Sequence, residues 1–382
     1  MKKISIIFVM MVFSAFQAIA QEEPVKEKKG VQVSFGYPVG SAGRNSTDYI
    51  NNFSFNILYG INGGLNGAEI GGLMNVNDGN VNGFQMAGLM NMNSGRVKGA
   101  TIAGLSNISR KGYSGVVVAG VLNYTQEAST GLGFSPANIL TDSLTGAQIG
   151  MFNYADRVKG LQFGAFNYVR NSAEVQIGHL NYTREENGVQ VGLFNLARKG
   201  GGVQVGLFNY QGEGEDGTSI GLFNIVKDGY YALEVSANES IFANLAYKMG
   251  TEKFYTIFTA GYSSYNSKPV YSTGLGFGGM VKLAENQRLA IDATANNVVY
   301  DNNWDTDDDG INLLNKLDLS YRYRLGKFSA FAGPSLNVYV TRQKVDGRYG
   351  TINIPYTLND HESDHTKVFM WVGFNAGLSL RL

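Results

Sequence analysis

The sequence predicts an all-β protein that joins a tandem 14–16-residue repeat β-solenoid to an antiparallel transmembrane β-barrel of about 8–10 strands. Three observations predict it. The first is composition: 50 glycines, 22 tyrosines and 22 phenylalanines against six prolines suit tightly turned, aromatic-rich strands. The second is a block ending in asparagine that returns every 14 to 16 residues through residues 63–229. The third is strict alternation in residues 368–382. Val368, Met370, Val372, Phe374, Ala376, Leu378, Leu380 and Leu382 all fall on one face of a strand. Half-buried strands of soluble proteins run to about five or six residues, whereas a tilted membrane-crossing strand needs about nine to eleven.

Taken in order, residues 1–20 read as a secretory signal peptide. Lys2 and Lys3 precede an apolar run over residues 4–16, and Ala18-Ile19-Ala20 supplies the small-residue cleavage pattern. No other segment approaches the roughly 18 apolar residues of a helical span. Residues 21–62 are expected to form a charged leader followed by an N-terminal β-hairpin. Its two alternating segments, 31–37 and 53–61, would raise an eight-stranded barrel to ten.

In the repeat region, residues 63–229, one asparagine recurs at Asn75, Asn91, Asn107 and Asn123. After an apparent interruption over 126–143 it recurs at Asn153, Asn167, Asn181, Asn195, Asn209 and Asn224. Later units read GAQIGMFN, GLQFGAFN, EVQIGHLN and GVQVGLFN; earlier ones carry an extra small residue, as in GFQMAGLMN and GATIAGLSN. In a solenoid, equivalent residues stack about 4.8 Å apart, so asparagines ladder their amides and apolar residues are expected to fill the core. Phe152, Phe166, Phe194, Phe208 and Phe223 form one such column, expected in the core, with a ligand-binding stripe as the alternative. The rival architecture is a single large barrel that includes the repeats as antiparallel strands. Its duplicating unit would be a hairpin of roughly 28 to 32 residues, whereas the observed unit is half that.

Residues 230–382 carry eight alternating segments, the expected C-terminal transmembrane barrel. The clearest places Leu317, Leu319, Tyr321, Tyr323 and Leu325 on one face. Lys316, Asp318, Ser320, Arg322 and Arg324 occupy the other. With Asp292, the inward charges read as a structural ion-pair network rather than a transport path.

Chemistry-bearing motifs are sparse. The absence of cysteine excludes disulfides, thiolate metal sites and cysteine nucleophiles. Thirty-one basic residues balance 31 acidic ones, leaving no field for nucleic acid. His361 and His365, with Glu362 and Asp364, lack a helix to align them on a metal. His179 replaces the usual Leu, Met or Ala of its column and reads as a tolerated substitution. Asp305-Thr306-Asp307-Asp308-Asp309-Gly310 matches the start of a calcium loop, but its twelfth position is Lys316 instead of glutamate; a solvated loop is the expected reading. No catalytic, metal or cofactor site is assigned, and a non-enzymatic role is expected.

The repeat units, the segment Asn52-Phe53-Ser54-Phe55-Asn56 and the ending Gly373-Phe374-Asn375-Ala376-Gly377-Leu378 resemble bacterial surface-repeat proteins of spirochaetes and Bacteroidota-type outer membranes. The resemblance implies outer-membrane or cell-surface placement in a Gram-negative cell, with membrane lipid and a surface molecule as partners. It brings no activity and no functional residues. Leu382 departs from the phenylalanine that commonly ends such barrels. Three roles are therefore open: structural or interaction element, channel or transporter, and adhesin.

Overall fold

A computed structural model describes residues 26–199, 201–213, 217–303, 310–363 and 365–382. The expected signal peptide and the calcium-like loop 305–309 lie outside the described residues. The chain forms a parallel β-solenoid of about 11 turns followed by a closed eight-stranded antiparallel barrel.

Parallel pairing settles the choice between the two architectures. Gln85 pairs with Thr101 and Asn91 with Asn107, each one repeat apart and pointing the same way along the sheet. Early turns use two short strands on either side of a bend, such as Val81–Ala87 and Met90–Asn93. From Arg157–Val169 onward each turn is one continuous bent strand, through Ser172–Thr183, Val203–Glu213 and Thr218–Val226. The shorter 14-residue unit has lost the extra small residue at the bend.

Two sequence expectations change here. The segments 31–37 and 53–61 do not add an antiparallel hairpin to the barrel; Val31 pairs parallel with Phe53 and Val33 with Phe55, making them the solenoid's first turn. The stretch 126–143 is not an interruption. Its strands Ser129–Phe134 and Ala137–Leu140 complete a turn, and Asn138 stands in the asparagine column between Asn123 and Asn153.

The glycine column Gly67, Gly83, Gly99, Gly115, Gly131, Gly146 and Gly160 has a steric cause. Gly83 sits at φ +130°, and a Cβ there would lie 2.0 Å from the carbonyl oxygen of Gly67 one turn below. Neither the dihedral nor the gap tolerates a side chain.

The solenoid interior has two parts. Against the turns between repeats, Leu65, Val81, Val97, Tyr113, Leu144 and Val158 build an apolar core. Against the GLF bend the interior is polar. Asn167 Nδ2 donates to Asn181 Oδ1 at 2.8 Å and to the Ile177 carbonyl at 2.9 Å, while its Oδ1 accepts from Asn153 at 2.9 Å. The same amide-to-amide bond repeats without a gap from Asn56 to Asn224. A second ladder runs along Gln148, Gln162, Gln176, Gln190 and Gln204. A buried amide left unpaired costs about 1–3 kcal/mol, so a continuous ladder is the arrangement that makes this interior tolerable. Glu69 replaces glutamine in that second column. Its carboxylate accepts from Asn56, Asn62, Asn77 and Gln85, and among the described residues no cation pairs with it. Burial pushes this carboxyl up to about 7, against the opposing pull of hydrogen bonds from Asn77, Gln85, Asn56 and Ser54.

The barrel strands are Tyr230–Asn238, Ala243–Gly250, Tyr255–Tyr265, Lys268–Ala284, Gln287–Tyr300, Asn312–Leu325, Phe328–Thr341 and Thr366–Arg381. Neighbours are antiparallel throughout, and the first strand pairs with the last, Leu233 opposite Leu380, closing the cylinder. Leu317, Leu319, Tyr321, Tyr323, Phe374 and Leu378 point outward and are exposed, as the alternation predicts.

Candidate functional site

The barrel lumen is braced by charge. Lys248 Nζ lies 2.9 Å from Glu234 and 2.6 Å from Asp292, and Arg322 pairs with both carboxylates, at 3.2 Å from Asp292. Tyr255 Oη donates to Asp292 Oδ1 at 2.6 Å, and the Arg322 guanidinium covers the Phe331 ring at 4.4 Å. Two cations and two carboxylates cancel, and the four come from the first, second, fifth and sixth strands. A neutral, fully hydrogen-bonded cluster is the form in which charge survives burial.

Of the inward charges expected from sequence, the structure brings Asp292 and Arg322 together. Lys316 pairs with Asp318 at 3.5 Å, a separate contact. Arg324 instead lines a small cavity near the short-turn end, with Arg288 and Arg381. Glu234 and Lys248 were missed. Their signal was parity: Glu234 stands between outward Leu233 and Val235, and Lys248 between Tyr247 and Met249.

Beside the network, between its four charges and Thr259, Asn296 and Asp318, the lumen keeps a cavity of about 50 Å³, space for a few waters. The long-loop end is plugged by an apolar cluster of Ile241, Val270, Leu314, Tyr339, Ile352 and Trp371. Ile352 and Thr351 belong to the loop after Thr341, which folds back into the mouth. Tyr339 Oη donates to Asn312 Oδ1 and accepts from the Thr351 amide at 3.1 Å. Glu239 receives Trp371 Nε1 at 2.8 Å and Asn337 Nδ2 at 3.1 Å.

The solenoid surface is the second notable feature. The phenylalanine column is not core: Phe152 is 52% exposed and Phe166 44%. The reason lies in strand alternation that changes phase at the bend, where Leu207 and Phe208 both lie outside. In GVQVGLFNY the inward positions are taken by Gln204 and Asn209, which leaves Val203, Val205, Leu207, Phe208 and Tyr210 outside. The rings stack along the axis, Phe194 on Phe208 at 5.1 Å and Phe208 on Phe223 at 4.7 Å. The opposite edge is charged, with Arg96, Lys98, Arg157, Lys159 and Arg170 exposed.

The last turn docks on the outer wall of the barrel. Asn224 Nδ2 donates to Thr256 Oγ1 at 3.0 Å, and Thr256 Oγ1 donates to the Gly221 carbonyl at 2.7 Å. Phe223 stacks on Phe258 at 5.9 Å. Tyr231 Oη bonds both the amide and the carbonyl of Val226. The asparagine ladder and the phenylalanine stack thus both continue into the barrel wall, and only the 227–229 turn connects the two parts.

The remaining sequence candidates do not converge. His179 is exposed at the GLF bend. His361 is exposed in Asn359–Ser363, and Glu362 faces Lys367 at 3.7 Å; Asp364 lies outside the described residues. Among the described residues no cluster of three metal-ligating side chains occurs. No family model, curated protein or solved structure matches the chain.

Proposed function

We propose that the protein is a non-enzymatic outer-membrane protein of a Gram-negative cell, in which the barrel is the membrane anchor and the solenoid a rigid structural or interaction element. The observation that carries this reading is the barrel's inverted polarity: apolar side chains cover the outer wall, while the ion network and the mouth cluster fill the lumen. Only a lipid surround makes that polarity favourable, since closure leaves no unpaired backbone edge. The filled lumen favours an anchor over a channel. The likeness of the repeats to surface-repeat proteins agrees with it.

The chain ends of the barrel and its turns near Gly250, Ala284 and Leu325 lie at one end, and the long loops at the other. In outer-membrane barrels short turns face the periplasm, so the docked solenoid is assigned to that side. Purified protein reconstituted in liposomes supplies the test. A folded band that shifts on boiling, with no solute-selective conductance, is expected. A fully soluble protein without such a shift contradicts the anchor, and steady selective conductance contradicts the filled lumen.

A further inference from the structure

We infer that the solenoid lies along the membrane, its GLF edge immersed in the lipid leaflet that meets the barrel's short turns. This deepens the outer-membrane reading and rests on it.

Four observations converge. Along the bend column, Leu73, Leu89, Leu105, Met151, Leu193 and Leu207 are all exposed, Met151 at 57%, and exposed His179 is the one polar side chain in that row. A row of exposed apolar side chains repeated over most turns marks an interaction surface. The opposite edge carries exposed lysines and arginines, including Lys98 and Lys159, so the solenoid is amphipathic across its width. The interior behind the stripe is amide-lined, which means the apolar side chains were placed outward against the usual sense of a water-soluble core.

The fourth observation identifies what covers the stripe. The phenylalanine column runs into Phe258, and Phe258 alternates with inward Ile257 and so stands on the outer barrel wall. Phe258 is only a few residues from the Gly250–Tyr255 turn, at about the depth where headgroups give way to acyl chains. The stripe therefore begins on the lipid-facing belt. The last turn stacks on the barrel wall through Asn224 and Thr256 and the earlier turns stack on it in series, so the solenoid axis leads away from that wall instead of along the barrel axis. About 11 turns at about 4.8 Å carry the stripe roughly 50 Å outward at one depth. Amphipathic elements lying in the interface bury their apolar face about 5–10 Å into this boundary, a depth that the bend and its flanking Phe and Tyr columns span. The occupant is bilayer hydrocarbon.

The natural absence of cysteine makes the test direct. Single variants Leu89→Cys and Leu207→Cys on the stripe, Lys98→Cys and Lys159→Cys on the charged edge, and Leu319→Cys on the barrel wall are labelled with a polarity-sensitive fluorophore. Each full-length protein is reconstituted into phosphatidylethanolamine–phosphatidylglycerol liposomes with or without nitroxide-bearing lipid. Labels at Leu89, Leu207 and Leu319 are expected to shift to the blue, lose fluorescence to nitroxide lipid and resist aqueous iodide. Labels at Lys98 and Lys159 are expected to show the reverse. If Leu319 is quenched by lipid while Leu89 and Leu207 respond only to iodide, the inference fails and the anchor reading stands. If Leu319 itself escapes the lipid quencher, the anchor reading fails first. If the stripe labels escape both quenchers and the unlabelled cysteines cross-link between molecules, a second copy covers the stripe and the inference is overturned.

Discussion

Replacing Asn167 by alanine removes one rung from the middle of the asparagine ladder. Two neighbours each lose a partner: Asn153 Nδ2, which donated to Asn167 at 2.9 Å, and Asn181 Oδ1, which accepted at 2.8 Å. The Ile177 carbonyl also loses a donor at 2.9 Å. Asn153, Asn167 and Asn181 are all at most 2% exposed, so water does not readily substitute. Orphaning a buried polar group costs about 1–3 kcal/mol; Asn181 Oδ1 is left without its donor, Asn153 Nδ2 keeps only the Phe163 carbonyl at 3.0 Å, and with the bond lost at Ile177 the expected loss is about 3 kcal/mol. Because each solenoid turn contacts only its neighbours, the damage is local. Hydrogen exchange on the full-length protein in detergent micelles reads it. Protection of amides in Arg157–Val169 and Ser172–Thr183 should fall about a hundredfold, at 1.4 kcal/mol per tenfold, with the barrel strands unchanged. Lys159→Ala on the exposed edge should change protection by about 0.5 kcal/mol or less. Equal, small effects from both variants would refute the claim that the ladder holds the solenoid together.

Three further outcomes follow from the same contacts. Glu69 has a folded carboxyl raised to about 7 from 4.5, so the folded state holds its proton where the unfolded chain has released it. Solenoid stability should therefore fall as pH rises from about 4.5 to about 7, by about 3 kcal/mol in all, and Glu69→Gln should flatten that slope in urea titrations. Arg322→Met leaves Glu234 and Asp292 sharing Lys248 alone; a loss of about 3–5 kcal/mol should appear as a lower temperature for the gel shift of the folded barrel. Thr256→Val breaks both bonds at the junction, and amides of Thr218–Val226 should exchange faster while the barrel's melting is unchanged.

Much of this architecture was legible in the chain because its two periods differ. A unit of 14 to 16 residues that returns whole, instead of in mirrored pairs, requires parallel stacking, as the register of Asn91 on Asn107 shows. Alternation at Leu317–Asp318–Leu319 told outside from inside in the barrel, because the charged set finds partners only inside the cylinder, as Asp318 does in Lys316. The solenoid offered no such asymmetry. Alternation on either side of the bend separates Gln204 from Val203 and Val205, and Asn209 from Phe208 and Tyr210, but it does not say which set is buried, and the usual preference for burying apolar residues pointed the wrong way. Laddered amides satisfy one another across turns, a long-range effect invisible within one unit. Asn138 escaped notice for a local reason: its unit, GLGFSPAN, carries proline where others carry Leu or Met, and sits 15 residues from each neighbour. Segments 31–37 and 53–61 alternate like barrel strands because outward apolar residues mark both parts of the molecule.

The most direct test is a distance. Spin labels at Leu73→Cys and Leu222→Cys sit at the same bend position, ten turns apart in the stack. At about 4.8 Å per turn, dipolar spectroscopy should return a narrow distribution near about 48 Å. A broad distribution, or one centred well below about 40 Å as the repeats would give if they curled into a single wide barrel, would contradict a straight amide-cored solenoid carried on the barrel wall.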